Sequence, residues 1–192
     1  MPTSTSRPRI ALRPGTADDA ASIGALHADS WRRHYRGAYA DSYLDGELVA
    51  ERQAVWSARL ADPAGTETII ACRGEAEPIA GFAHVVLDHD PVWGSLVDNL
   101  HVSHDLHRAG IGRRLLAEAA RAVVRRAATD RLHLWVLEQN VAAQRFYLAL
   151  GAQNEGRHPV TAAGAGPSRL VGTPAKFRMA WPDASTLAAP GA

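Results

Sequence analysis

The sequence predicts a mixed α/β domain, a sheet with helices on its faces, and three observations carry that reading. Short apolar runs bounded by turn residues alternate with segments of helical periodicity along almost the whole chain. One segment, residues 112–127, is strongly amphipathic: Ile111, Leu115, Ala119 and Val123 recur at helical spacing, opposite Arg114, Glu118, Arg121 and Arg125. No internal repeat and no linker rich in Pro, Gly or Ser divides the 192 residues, a length that fits one domain able to bury a core.

Taken in order, residues 9–13 (RIALR) read as a strand stopped by Pro14-Gly15. Thr16 then caps a helix running to about Trp31, with Asp18 and Asp19 in its first turn, where they favour the helix dipole. A second helix over 44–60 carries Leu48, Val55, Trp56 and Leu60. Residues 66–72 and 79–87 are strands separated by the turn-like RGEAEP, and 96–102 is a further strand. After the long helix come a strand at 131–137, a short helix at 141–150 stopped by Gly151, and a last strand at 175–181. One domain over 9–182 follows, with residues 1–8 and 183–192 as frayed tails.

Composition narrows the function. Hydrophobic residues make up 46% and charged residues 21%, which is globular. The net charge of +1 supplies no global field for nucleic acid or an anionic membrane, so neither is expected as a partner. Cys72 is the single cysteine; lying in the apolar run TIIAC, it reads as buried and inert, in a reducing compartment. No stretch has signal-peptide or membrane-spanning character, which makes the cytoplasm the expected location.

The chemistry concentrates in VDNLHVSHDLHRAGIGRRLL, residues 97–116. A strand enters a turn with Gly110 and Gly112, and the long helix begins there, so the amides from about Arg108 to Arg113 converge at a helix N-terminus. Such a place binds anions, and a pyrophosphate is the obvious one. A dinucleotide fold needs a third glycine where Leu115 stands, and a P-loop needs Gly-Lys-Ser/Thr where Gly112-Arg113-Arg114 stands. Both alternatives fail.

What this stretch resembles is the GNAT superfamily of acyl-CoA-dependent N-acyltransferases. Leu100-His101-Val102 followed by His107-Arg108-Ala109-Gly110-Ile111-Gly112 is similar to the family's strand ending and its Gln/Arg-x-x-Gly-x-Gly/Ala motif, with His107 in the Gln/Arg position. NVAAQRFYLALGA, residues 140–152, resembles the downstream Asn-x-x-Ala-x-x-Phe-Tyr-x-x-x-Gly-Phe element, with Ala152 for the final Phe. The resemblance spans residues 9–181. It implies a mostly antiparallel sheet flanked by helices, whose splayed central strand pair binds acetyl-CoA as co-substrate. No metal is implied. The acceptor is a small-molecule or peptide amine, and a homodimer is compatible because family members are commonly dimers.

The resemblance also implies roles. The backbone of Leu100, His101 and Val102 pairs with the pantetheine arm, and the turn from His107 through Arg108, Ala109, Gly110, Ile111, Gly112 and Arg113 holds the pyrophosphate. Tyr147 is the general acid, since a phenol stays protonated at neutral pH and can donate to the departing thiolate. Asn140 is either an N-cap or a pantetheine contact. The frequent Glu position for a base looks to be Leu96, which cannot serve. Asp98 becomes the candidate, on the same face as Leu100 if no bulge intervenes, with His84 and a water relay as alternatives; His101 points the other way. Trp31, His34, Tyr35 and Tyr39 cluster where the acceptor pocket lies in this family, with Trp31 and Tyr35 as the candidate contacts. Residues 161–170 read as a loop closing over the acceptor. Two rivals remain: a non-catalytic acyl-CoA sensor, and a nucleic-acid binder using the local +5 charge between Arg108 and Arg131.

Overall fold

The computed structural model describes residues 10–74, 78–161 and 169–188. The proposed tail at 1–8, the middle of RGEAEP, most of the 161–170 loop and residues 189–192 lie outside them. Seven strands form one sheet: β1 (Ala11–Pro14), β2 (Thr66–Cys72), β3 (Gly81–Asp90), β4 (Gly94–Val102), β5 (Leu132–Leu137), β6 (Gln153–Pro159) and β7 (Ala175–Trp181). Their spatial order is β1-β2-β3-β4-β5-β7-β6, and every neighbouring pair is antiparallel except β4 with β5. The mixed, mostly antiparallel sheet is therefore observed.

Helices α1 (Ala20–His34) and α3 (Leu48–Ala61) cover one face, with α2 (Asp41–Leu44) between them in the chain. On the opposite face lie α4 (Ile111–Arg126), α5 (Val141–Ala149) and α6 (Ser185–Ala188). Alternation along the strands feeds two cores. Ile69, Ala71, Ala83, Val85, Val97, Leu134, Val136 and Met179 pack under α4 with Leu115, Leu116 and Val123. Ile70, Cys72 and Phe82 pack under α1 and α3 with Ile23 and Trp56. Each fully buried Leu, Ile, Val, Phe or Met among them contributes about 1.5–3 kcal/mol of transfer free energy.

Thr16 starts α1 through a 3-10 turn, Ala17–Asp19, rather than directly. Its amide donates to Asp19 Oδ2 at 2.8 Å, while Arg13 on β1 grips both Asp19 oxygens at 2.7 and 2.8 Å. Arg13 holds the Asp19 carboxyl below its ordinary pKa and pins the helix start to the sheet.

Three expectations change. The helix expected over 44–60 begins at Leu48 as α3, because Asp45-Gly46 separates it from the short α2, whose Leu44 carbonyl accepts from Arg32 Nε at 2.9 Å. The strand β6 went unplaced, since its polar, exposed sequence QNEGRHP shows no alternation. The tail expected from 183 is ordered over 183–188: Asp183 caps α6, accepting from the Ser185 amide at 2.8 Å, and Ala184 and Leu187 are buried in the α4 core. Alone, STLA is too short to announce a helix; only the surface of α4 gives it a partner. Among the described residues no helix is long and apolar enough to cross a membrane.

Candidate active site

Strands β4 and β5 pair only through Ser95–Leu132, Leu96–His133 and Val97–Leu134. Beyond that point β4 follows β3 and β5 follows β7, so the parallel neighbours diverge. The cause is visible in register: His84 faces Asn99 but Val85 faces Val97, which leaves Asp98 as the extra residue of a β-bulge. The wedge leaves the facing backbone groups of residues 98–102 without a partner on β5, an edge that suits an extended amide-bearing chain.

At the wide end β4 passes into a 3-10 turn, His104–Leu106, and then the α4 N-terminus. Two residues there have left-handed backbone, Arg108 at φ 64° and Gly110 at φ 78°. Among the described residues the amides of Arg108, Gly110, Ile111, Gly112 and Arg113 have no acceptor. They sit at the positive end of a 16-residue helix. No heavy atom lies within 4 Å of where a Gly110 Cβ would stand, so this glycine serves backbone conformation. Gly112 serves packing, since its Cβ would meet Phe146 at 3.4 Å. Arg108 and Arg113 are exposed beside these amides. His107 is turned onto the strand, where Nε2 donates to the Val102 carbonyl at 3.2 Å. Leu100 and Val102 side chains pack toward the α4 core, whereas His101 faces α1, as alternation predicts.

Tyr147 on α5 is buried, edge-on to Phe146 at 5.2 Å and Trp181 at 6.2 Å. Its hydroxyl has no hydrogen-bond partner among the described residues, and burial pushes the phenol pKa up, keeping the proton on oxygen. Asn140 is an N-cap: Oδ1 accepts from the Ala143 amide at 3.1 Å, which leaves its Nδ2 donors for other use.

Asp98 does not share the face of Leu100. The bulge breaks the alternation on which that placement rested, and the carboxylate meets Arg59 of α3 at 2.6 Å and Asn99 Nδ2 at 2.7 Å. This puts it on the side of α1 and α3, and its charge is among those that raise the Tyr35 phenol. The neighbouring imidazoles are His84, bonded through Nδ1 to Thr68 Oγ1 at 2.8 Å, and His101, bonded through Nδ1 to Ser30 Oγ at 2.8 Å. Burial depresses each to about 4, so both are neutral at pH 7.

On this face Trp31, Tyr35, Tyr39 and Tyr43 form a row, with Trp31–Tyr35 centroids 4.8 Å apart and Tyr35–Tyr39 5.5 Å apart. His34 is beside it but turned away, toward His107 at 6.4 Å. Sequence reasoning missed the polar rim. Arg52 lies over Trp31, Arg169 over Tyr43, and Glu51 binds Arg52, Arg169 and the Tyr43 hydroxyl. It also missed Gln139, whose Nε2 donates to the His34 and Arg36 carbonyls at 2.8 Å each, tying α5's approach to the turn after α1. Neither spacing nor periodicity joins residues a hundred positions apart.

A bulged, splayed parallel pair ending in a turn of free amides defines the acyltransferase class of α/β folds that grip an extended thioester carrier. The chain belongs to the acetyltransferase (GNAT) family, whose pattern it matches over residues 28–152. It is 24% identical over 180 residues to YuaI, an uncharacterized N-acetyltransferase of Bacillus subtilis (strain 168), covering 93% of this chain and 96% of that one. Its fold is similar to the PaiA N-acetyltransferase of Thermoplasma acidophilum, solved with coenzyme A: TM-score 0.67, 18% identity, 90% of this chain and 98% of that one. The yncA protein of Salmonella typhimurium, solved with acetyl-CoA, superposes at TM-score 0.60, 19% identity, 90% and 93% coverage.

Proposed function

We propose that the protein is an N-acetyltransferase that moves the acetyl group of acetyl-CoA to a primary amine by direct attack, with both substrates bound together in the cytoplasm. The observation that carries this is the continuity of the β4–β5 wedge with the five partnerless amides at 108–113. When bound, acetyl-CoA supplies the acetyl group activated as a thioester. The turn amides and Arg108 hold its phosphates, the β4 edge at Leu100–Val102 orients its arm, and Asn140 Nδ2 has donors to spare for it. Tyr147 holds a proton at its phenol oxygen for the leaving sulfur. Asp98 and the Trp31–Tyr35 row bound the acceptor side, so Asp98 takes up the amine proton from that side. The new amide C–N bond replaces the C–S bond with no covalent enzyme intermediate; Cys72, in the α1–α3 core, is too buried to serve.

The test is thiol release from acetyl-CoA across a broad panel of amines, alongside calorimetric titration of acetyl-CoA. Tight binding with no transfer to any amine would reduce the protein to an acyl-CoA binder and overturn the enzymatic reading.

A further inference from the structure

Helices α1 and α3 cover β2 to β4, but on that same side the described residues put no helix broadly over β5, β7 and β6. Leu132, Leu134 and Val136 of β5 and Phe177, Met179 and Trp181 of β7 turn to the opposite, α4 core. The residues between them, Trp135, Lys176 and Arg178, therefore face the open side, and each is only partly exposed. Trp93, from the β3–β4 turn, folds back over the same face. The Arg178 guanidinium lies between two indoles, 4.4 Å from the Trp93 centroid and 4.5 Å from that of Trp135. Lys176 Nζ lies 4.2 Å from the Trp135 centroid, and His158 of β6 packs edge-on to the same ring at 5.0 Å.

Two cations thus stand two residues apart on one strand face, fixed by stacking. Asp90, whose Oδ1 accepts from the Val92 and Trp93 amides, feels the Arg178 charge, but no carboxylate among the described residues forms an ion pair with either cation. Arg178 Nε is buried with no hydrogen-bond partner among them. A half-buried cation held flat against aromatic rings keeps its N–H edge directed for one bidentate acceptor, which is the geometry that recognises a carboxylate.

Its position connects this face to the wedge. Trp135 is the first β5 residue beyond the β4 pairing, and Arg178 stands opposite it on β7, one interstrand spacing or about 4.8 Å further out. Lys176 stands opposite Leu137, toward the wide end of the wedge. We propose that Arg178 and Lys176 form a carboxylate subsite of the acceptor groove, so that the acceptor is an amine carrying a carboxylate within about one to two strand spacings of its nitrogen. Both charges rest on the Trp135 ring, which sets the spacing between them. This rests on the acetyltransferase reading above and names its substrate class.

The test uses the full chain and matched probes. Phenylalanine, methionine and glutamate are compared with their α-carboxamides, and Ala-Asp and Ala-Glu with Ala-Asn and Ala-Gln, as acetyl acceptors. In parallel the N-acetylated forms of the same compounds are titrated calorimetrically in the presence of coenzyme A, so that a binding readout exists whatever the turnover. The carboxylate member of at least one pair should exceed its carboxamide by tenfold or more in kcat/KM or affinity. The amino-acid and dipeptide arms tell a free amino acid from an acidic peptide. Arg178→Gln and, should that variant fail to fold, Lys176→Met should collapse the ratio toward one through KM, and Arg178→Lys should restore part of it. Coenzyme A affinity of these variants, titrated alone, separates this proposal from the site reading, because it should be unchanged. A ratio near one in every pair, a ratio insensitive to both variants, or a dimer dissociated by Arg178→Gln would overturn the proposal; the last would assign the face to a second copy.

Discussion

The Asp98 carboxylate meets Nη1 of Arg59 at 2.6 Å across the gap between β4 and α3, and it does so because Asp98 is the surplus residue of the bulge opposite His84 and Val85. One backbone irregularity thus both parts β4 from β5 and turns the strand's carboxylate toward α3.

If Asp98 takes the amine proton, Asp98→Asn lowers turnover most at acidic and neutral pH, with partial recovery as pH rises and free amine becomes abundant. Acetyl-CoA affinity should barely change. A pH–rate profile that scales down without changing shape would leave Asp98 with only its structural contacts to Arg59 and Asn99.

If the turn amides hold the acetyl-CoA phosphates, Gly110→Glu places a Cβ on a φ of 78° and a negative charge among them. Acetyl-CoA binding should weaken by at least about tenfold. Because nothing lies within 4 Å of that Cβ, the circular dichroism spectrum should match the parent. Unchanged calorimetric affinity in the folded variant removes coenzyme A from this turn.

Tyr147→Phe deletes one oxygen that has no hydrogen-bond partner among the described residues, so the packing against Phe146 and Trp181 survives. Turnover should fall by roughly 10²–10⁴, the usual worth of general acid catalysis, with acceptor KM little changed. An acyl donor with a more acidic thiol should recover a disproportionate share of the rate. Equal defects with both donors, or a loss under about threefold with acetyl-CoA, count against the phenol.

Stability should fall in mild acid before the carboxylates titrate. His84 and His101 have folded-state values of about 4 against an unfolded value near 6.5. The unfolded chain therefore binds more protons between those limits, and stability is lost as pH drops from about 6.5 to 4, by up to about 3 kcal/mol per group. Urea midpoints at pH 7.5, 5.5 and 4.5 read the slope. His84→Gln should lessen it by its own share, leaving that of His101, and an equal slope in that variant would assign the acid sensitivity elsewhere.

Leu187→Ala should cost about 2–4 kcal/mol, the usual range for a buried leucine, because α6 is part of the α4 core. A midpoint in urea unchanged from the parent would return residues 183–188 to the status of a tail.

The sequence by itself determined the mixed sheet, the long helix and the glycine turn that opens it. Those features are local: Leu115 to Val123 repeat within one helix, and Gly110 and Gly112 flank the first residue of that helix. It also determined that His101 opposes Leu100, since alternation over two residues needs no partner strand. What only the tertiary structure decided is everything set by one element's register against another. The bulge at Asp98 exists only relative to β3, and the tail became α6 only against α4. The Trp93–Arg178–Trp135 stack joins residues more than forty positions apart in sequence order, held together by the β5–β7 register. Stacking and ion pairing act over a few ångströms of space, and no pattern along the chain encodes that distance until the strands have paired.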